Sequence, residues 1–419
     1  MFAAIKQIFN PRNRDILKRV LFTLACLSVF VLGKSIVVPG IDQYQLGVTQ
    51  LGFLELINVM GGRALEQFSI FALGVMPYIS ASIIIQILAM DIVPYLSELR
   101  KQGGAGRTQL NKITRISGIA LAFVQGYVYS FTFLGNNGVL NIDYLQYALV
   151  LTAGTCLLLW IGDQITAKGI GNGISLIIMA GIISSLPTMF ATAFTELVAN
   201  NTVTGILLFI LYVLFYVAII LGVVYIESAE RRINVQYANK SNSSFGGKQN
   251  YIPFKLNSSG VMPVILASAL ISIPSFLATI IKNEGYTNFV TNYLSMEKPF
   301  GFILYIVLIF VFAYVYTFMQ IKPSEMSDNL NKNGGFIPGV RPNETTDYIN
   351  KVLTRITAVG ALFLAILAAI PVIFGNISGL PSNVTIGGTG LLIVVGVALE
   401  TYKQLESQLQ SRSYRRGRR

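Results

Sequence analysis

Histidine is absent from the 419 residues, and cysteine occurs only at Cys26 and Cys156, each alone in an apolar stretch. Without histidine the commonest general base and metal ligand is missing, and Ser-His-Asp, Cys-His and HExxH chemistries go with it. Two isolated cysteines build neither a disulfide framework nor a metal site. Charge is scarce, at 12% of residues, and none of it falls in the middle of a long apolar run, where an ion-coupled carrier normally places a charged group. Nucleotide motifs fail as well. Gly33-Lys34-Ser35 lacks the upstream glycine of a P-loop, and GIGNGIS at Gly169–Ser175 does not match GxGxxG. An enzyme is disfavoured, and any uphill transport needs a partner to drive it.

What remains is apolar: 53% hydrophobic residues and a mean hydropathy of +0.62, in the range of polytopic membrane proteins. A bilayer core takes about 20 apolar residues per helix. Runs of that grade recur ten times, near 20–38, 68–90, 116–134, 144–162, 170–190, 203–226, 257–281, 299–321, 356–374 and 384–399. On a ten-span model, all but four of the 31 Lys and Arg fall on one face, the exceptions being Lys34, Arg63, Lys282 and Lys298. The positive-inside rule makes that face cytoplasmic, with both termini on it. The net charge of +12 is thereby explained largely by topology. The basic N-terminus and first run imitate a signal peptide but lack a small-residue cleavage site, so they read as an uncleaved first span. Lys34 reads as snorkelling to the outer interface.

One nonapeptide is written twice, as GVMPYISAS from Gly74 and GVMPVILAS from Gly260, seven of nine positions matching. Pro77 and Pro263 are expected to bend spans two and seven, near Ser80 or Ser82 and near Ser268. Matched kinks suggest a duplicated five-span unit. GIGNGIS opens span five and GGTGLL, from Gly387, opens span ten; such glycines suit either close helix packing or irregular backbone beside a cavity. The stretch from Gly52 to Glu66 carries Glu55, Arg63 and Glu66 and cannot span. It is either a surface helix or a sheltered re-entrant piece. The connections Glu227–Asn257 and Lys322–Arg355 are long, basic and turn-rich, with runs that could form short hairpins. Their length favours docking surfaces over plain solvated loops.

Taken in order, GIGNGIS, ERRINVQYA, YIPFKLNSSGVMPVILAS, NKNGGFIPGVRP and GGTGLLIVVGVALE resemble the SecY/Sec61-alpha family of protein-conducting channel subunits. The resemblance runs from about Arg19 to Arg415. It implies an all-α membrane fold of ten helices in two pseudo-symmetric halves, 1–200 and 201–402, followed by a basic tail, 403–419. It also implies no catalytic site and no cofactor. The pore ring falls on Val75, Ile79, Ile174, Ile178, Ile265 and Ile393, residues that would otherwise read as ordinary core. The plug falls on about 53–66, including Phe53, Leu54, Asn58, Gly61 and Gly62.

The lateral gate between spans two and seven takes in Pro77, Ser80, Gln86, Asn257, Pro263 and Ser268. The loops, with Arg231, Arg232, Lys240, Lys248 and Arg341, become the docking surface for the SecA motor or a ribosome. SecE and SecG are implied as companion subunits, and signal sequences, nascent polypeptides and membrane lipids as contacts, in a bacterial plasma membrane. Two other classes stand beside the channel. The repeat would also suit an ion-coupled solute transporter, and an intramembrane protease is made remote by the missing histidine and paired carboxylates.

Overall fold

The computed structural model describes residues 14–39, 58–89, 92–134, 141–198, 203–237, 251–281, 283–295, 298–378 and 382–416. Phe53, Leu54, Lys240 and Lys248 lie outside them. The molecule is built of helices: α1 (Arg14–Gly33), α2 (Met76–Leu88), α3 (Pro94–Lys101), α4 (Gly104–Leu134), α5 (Asn141–Lys168), α6 (Gly173–Val198), α7 (Val203–Ser228), α8 (Met262–Ile281), α9 (Glu284–Phe289), α10 (Pro299–Gln320), α11 (Pro323–Lys332), α12 (Thr345–Ser378) and α13 (Ser382–Arg416).

Each of the ten apolar runs falls on a helix. Among the described residues, six helical segments are long and apolar enough to cross a membrane, while α2 and the apolar part of α8 are shorter. α7 shows why such a chain needs lipid as solvent: Val203, Leu207, Leu211, Leu214, Leu221 and Tyr225 all point outward. The main core is shared by α1, α2, α4 to α8, α10, α12 and α13. α6 packs on α7 and α13. Contact between α4 and α8 is slighter and includes an edge-on pair of Tyr129 and Phe276, ring centroids 5.9 Å apart.

The repeated nonapeptide does something other than expected. Pro77 and Pro263 do not kink spans two and seven. Each sits in the first turn of its helix, the second residue of α2 and of α8. In that turn a missing N–H costs nothing and the fixed φ of proline fits. The glycine three residues earlier is left-handed in both copies, with φ of +56° at Gly74 and +62° at Gly260, a conformation other residues rarely adopt. Residues 68–75 are turns rather than a first stretch of helix. GVMP is therefore a helix-start device used twice.

Two further boundaries differ. GGTGLL lies inside α13, which begins at Ser382. That helix also runs unbroken through the basic segment to Arg416, so no break falls at 403. Leu405 and Leu409 pack with Ile16 and Ile170, an apolar stripe that keeps the tail helical against α1.

The two long connections meet. β1 (Glu230–Asn234) pairs antiparallel with β3 (Tyr251–Lys255), the expected hairpin, and β2 (Gln236–Tyr237) pairs with β4 (Gly335–Phe336) of the second connection. Ile233, Val235, Phe254, Leu330, Ile337, Ile349 and Leu353 form a small separate core beneath them.

Candidate functional site

Four helices bring the ring residues to one place. Ile79 comes from the first turn of α2, Ile174 and Ile178 from successive turns of α6, Ile265 from the first turn of α8 and Ile393 from α13. All five line one cavity of about 310 Å³. Val75, also buried, stands at the start of α2 in the same core without lining the cavity. Four of the five lining isoleucines are buried and Ile174 is half-buried. Local sequence sets α6 at the required height. Gly171 is left-handed, the Asn172 side chain accepts the Ile174 N–H at 3.1 Å, and the Thr166 hydroxyl accepts the Gly173 N–H at 2.9 Å. This supplies partners for the free donors of a helix start.

The cavity also carries polar groups, Ser82, Gln86, Asn172, Ser258, Ser259, Gln320, Glu227, Glu400, Lys255 and Lys403, among further apolar ones such as Ile83, Val261, Leu266 and Val397. Non-helical backbone from Asn257 to Gly260 lines it, as membrane proteins allow only where chain borders a cavity. The proposed gate residues divide. Gln86 and Asn257 both reach the cavity but keep partners on their own sides. Gln86 Nε2 donates to Ser82 Oγ at 2.8 Å. Asn257 Nδ2 donates to Glu227 Oε1 at 2.6 Å and to the Gly260 carbonyl at 3.0 Å. Pro77 and Pro263 are buried at helix starts, and Ser80 is half-buried outside the cavity lining. Ser268 donates to the Val264 carbonyl and lies 3.4 Å from the Tyr305 hydroxyl of α10, away from α2.

Sequence reasoning missed the cluster around Glu227. Its carboxyl accepts from Asn257, and its backbone carbonyl accepts from Lys403 Nζ at 2.5 Å. Burial lowers the Lys403 ammonium below the usual lysine range, helped by Lys255 and opposed by Glu227. The only hint in the chain was a carboxylate placed at a span end.

On the other side of the ring lies the segment from Asn58 to Glu66. It is sheltered rather than spread on a surface: Asn58, Val59, Met60, Ala64 and Leu65 are all buried. The Glu66 N–H donates to Asn58 Oδ1 at 3.1 Å, and Arg63 pairs with Glu66 at 3.0 Å, closing the segment on itself. Gly62 gives it a close approach to α6. Gly62 is left-handed and rests on the backbone of Gly181 in α6; a Cβ built at Gly181 would lie 2.2 Å from the Met60 carbonyl oxygen.

On the paired loops, Arg232 bonds Glu230 and lies over the Tyr251 ring, 4.7 Å from its centre. Arg231 is opposite Phe254 in the strand register. Arg341 is 85% exposed, with only a long 4.0 Å contact to Glu344.

Comparison with known proteins places this arrangement. The SecY family model matches residues 69–402. The protein translocase subunit SecY of Bacillus subtilis is 45% identical, covering 99% of both chains. That of Staphylococcus aureus is 43% identical, over 96% of this chain and 97% of its own. Among solved structures, a protein-conducting channel superposes with a TM-score of 0.65 at 18% identity, covering 93% of this chain and 91% of its own. A second, with the same score and coverage at 20% identity, is a SecY protein whose plug domain is described as stabilising the closed channel and maintaining the membrane seal. The chain belongs to the SecY family of protein translocase subunits.

Proposed function

We propose that the cavity is the cytoplasmic vestibule of a polypeptide pathway and that Val75, Ile79, Ile174, Ile178, Ile265 and Ile393 form its constriction. As a SecY, the protein is a channel subunit of the translocase, not an enzyme. The observation that carries the detailed reading is the convergence of five isoleucines from α2, α6, α8 and α13 on one cavity. Branched apolar side chains meeting there fit closely around a threaded chain and disfavour water when it is empty, so ions meet a dewetting barrier. The Asn58–Glu66 segment, seated beyond the ring, acts as the plug.

The halves 1–200 and 201–402 open as a clamshell. Support comes from their joining through α6, α7 and α13, beside which the α4–α8 contact is slighter. The gate between α2 and α8 opens there, letting a signal sequence or transmembrane segment sample lipid. Each central Leu, Ile, Phe or Val favours the bilayer by about 0.3–0.6 kcal/mol. The strand-paired loops, with Arg231, Arg232 and Arg341, receive the SecA motor or the ribosome, whose rRNA phosphates would bind in a salt-dependent way. SecE and SecG complete the complex in a bacterial plasma membrane, both termini cytoplasmic. Family membership favours this channel over the ion-coupled carrier.

The test is ion leakage. Single polar substitutions in the ring should be tolerated, whereas Ile79→Asn, Ile178→Asn and Ile265→Asn combined should make resting channels in liposomes leak. A triple variant as tight as the parent would overturn the constriction.

A further inference from the structure

Lys34 does not reach out to the interface as its sequence context suggests. The turn ending α1 turns it inward, its N–H bonding the Phe30 carbonyl at 3.0 Å. Its Nζ donates to the Gly62 carbonyl at 3.1 Å and to the Ser184 hydroxyl of α6. One ammonium thus ties three segments together: the end of α1, the sheltered segment and the helix carrying Ile174 and Ile178.

The acceptor it uses is one that the segment's own backbone bonds do not take up. At the tip, the Gly62 N–H bonds the Val59 carbonyl and the Arg63 N–H bonds the Asn58 carbonyl. Consecutive left-handed residues, Gly62 at +71° and Arg63 at +65°, form that tip and present the Gly62 carbonyl to Lys34. Among the described residues no carboxylate pairs with Lys34. The nearby Arg63 is a like charge, itself held by Glu66 at 3.0 Å. The tie is therefore two charge-assisted bonds to neutral acceptors, strong enough to hold but without the cost of separating a buried ion pair. Lys34 is half-buried, so on release its long stem can carry the ammonium to water.

We propose that Lys34 is a positioning residue, the latch that holds the plug closed, with its snorkelled conformation belonging to the open state. This rests on the reading of Asn58–Glu66 as a plug. Release requires only that Gly62 move away, so displacing the plug and freeing the lysine are one event.

The test uses Lys34→Met, which keeps the stem and removes the charge, Lys34→Arg, and Ser184→Ala, each in the intact complex in liposomes. Met60→Cys in each background reports plug position by labelling with a water-soluble maleimide. Loss of a charge-assisted hold corresponds to about a 10- to 100-fold rise in the open population. Lys34→Met should raise labelling and resting conductance by that factor, Ser184→Ala by several-fold, and Lys34→Arg should restore the parent's tightness.

If Lys34→Met does not assemble, Ser184→Ala alone decides. Unchanged labelling in every assembled variant overturns the latch. Lower thermal stability with unchanged labelling also overturns it, leaving Lys34 a merely structural residue. If labelling rises but conductance does not, the latch stands and the plug reading of the segment falls.

Discussion

Replacing Gly181 by alanine should open a leak, and the structure says how large. The added methyl would lie 2.2 Å from the Met60 carbonyl oxygen, 3.1 Å from its carbon and 3.3 Å from the Gly62 nitrogen, where ordinary contact begins at 3.4 Å. The obstacle is backbone, so it cannot swing aside as a flexible side chain would. Either α6 or the Asn58–Glu66 segment must withdraw by more than an ångström. α6 is fixed by α5, α7 and α13, which makes the segment the part that gives. Overpacking of this kind costs about 1–3 kcal/mol, which is roughly a 5- to 140-fold shift toward the displaced state. Dye or halide efflux from proteoliposomes containing the resting complex reads it directly. Gly222→Ala is the control, since its methyl would meet only the Phe363 ring at 3.7 Å and Leu367 at 4.0 Å. If Gly181→Ala assembles normally and is as tight as Gly222→Ala, the proposed seating of the Asn58–Glu66 segment on α6 as a plug is wrong.

Two other substitutions probe the gate and the cytoplasmic face. Phe276→Ala removes the edge-on contact with Tyr129, worth about 0.5–1.5 kcal/mol beyond its area. Marginally apolar segments should then enter the bilayer more readily in an insertion assay, and no change would remove this pair from the gate. Arg341→Ala should weaken motor or ribosome binding and, for a phosphate partner, reduce the salt dependence by about one unit of slope; affinity equal to the parent's at every salt concentration would exclude it.

The sequence was most legible where physics repeats itself. Twenty-residue apolar runs placed helices that the structure retains. The doubled GVMP marked two helices that border one cavity, but its mechanism was misread. Residues 68–75 are apolar enough to pass for helix, and hydropathy cannot separate a helix from irregular backbone that is merely buried. The proline that looked like an interior kink is therefore a first-turn residue. The ring isoleucines are chemically indistinguishable from core, and family resemblance alone singled them out. Pairing of Gln236–Tyr237 with Gly335–Phe336 is too short to leave an alternating pattern. The bond from Lys34 ends on a backbone carbonyl 28 residues away, an acceptor with no side-chain signature.

The central claim is that α2 and α8 begin at one constriction through which a polypeptide passes. Single cysteines at Ile79 and Ile265, in turn, should each crosslink to a translocating chain arrested in mid-transit. A cysteine at the lipid-facing Leu211 of α7, 52% exposed, should not. Crosslinks from both ring positions and none from Leu211 are the predicted result; an arrested chain that reaches neither isoleucine would contradict the pathway.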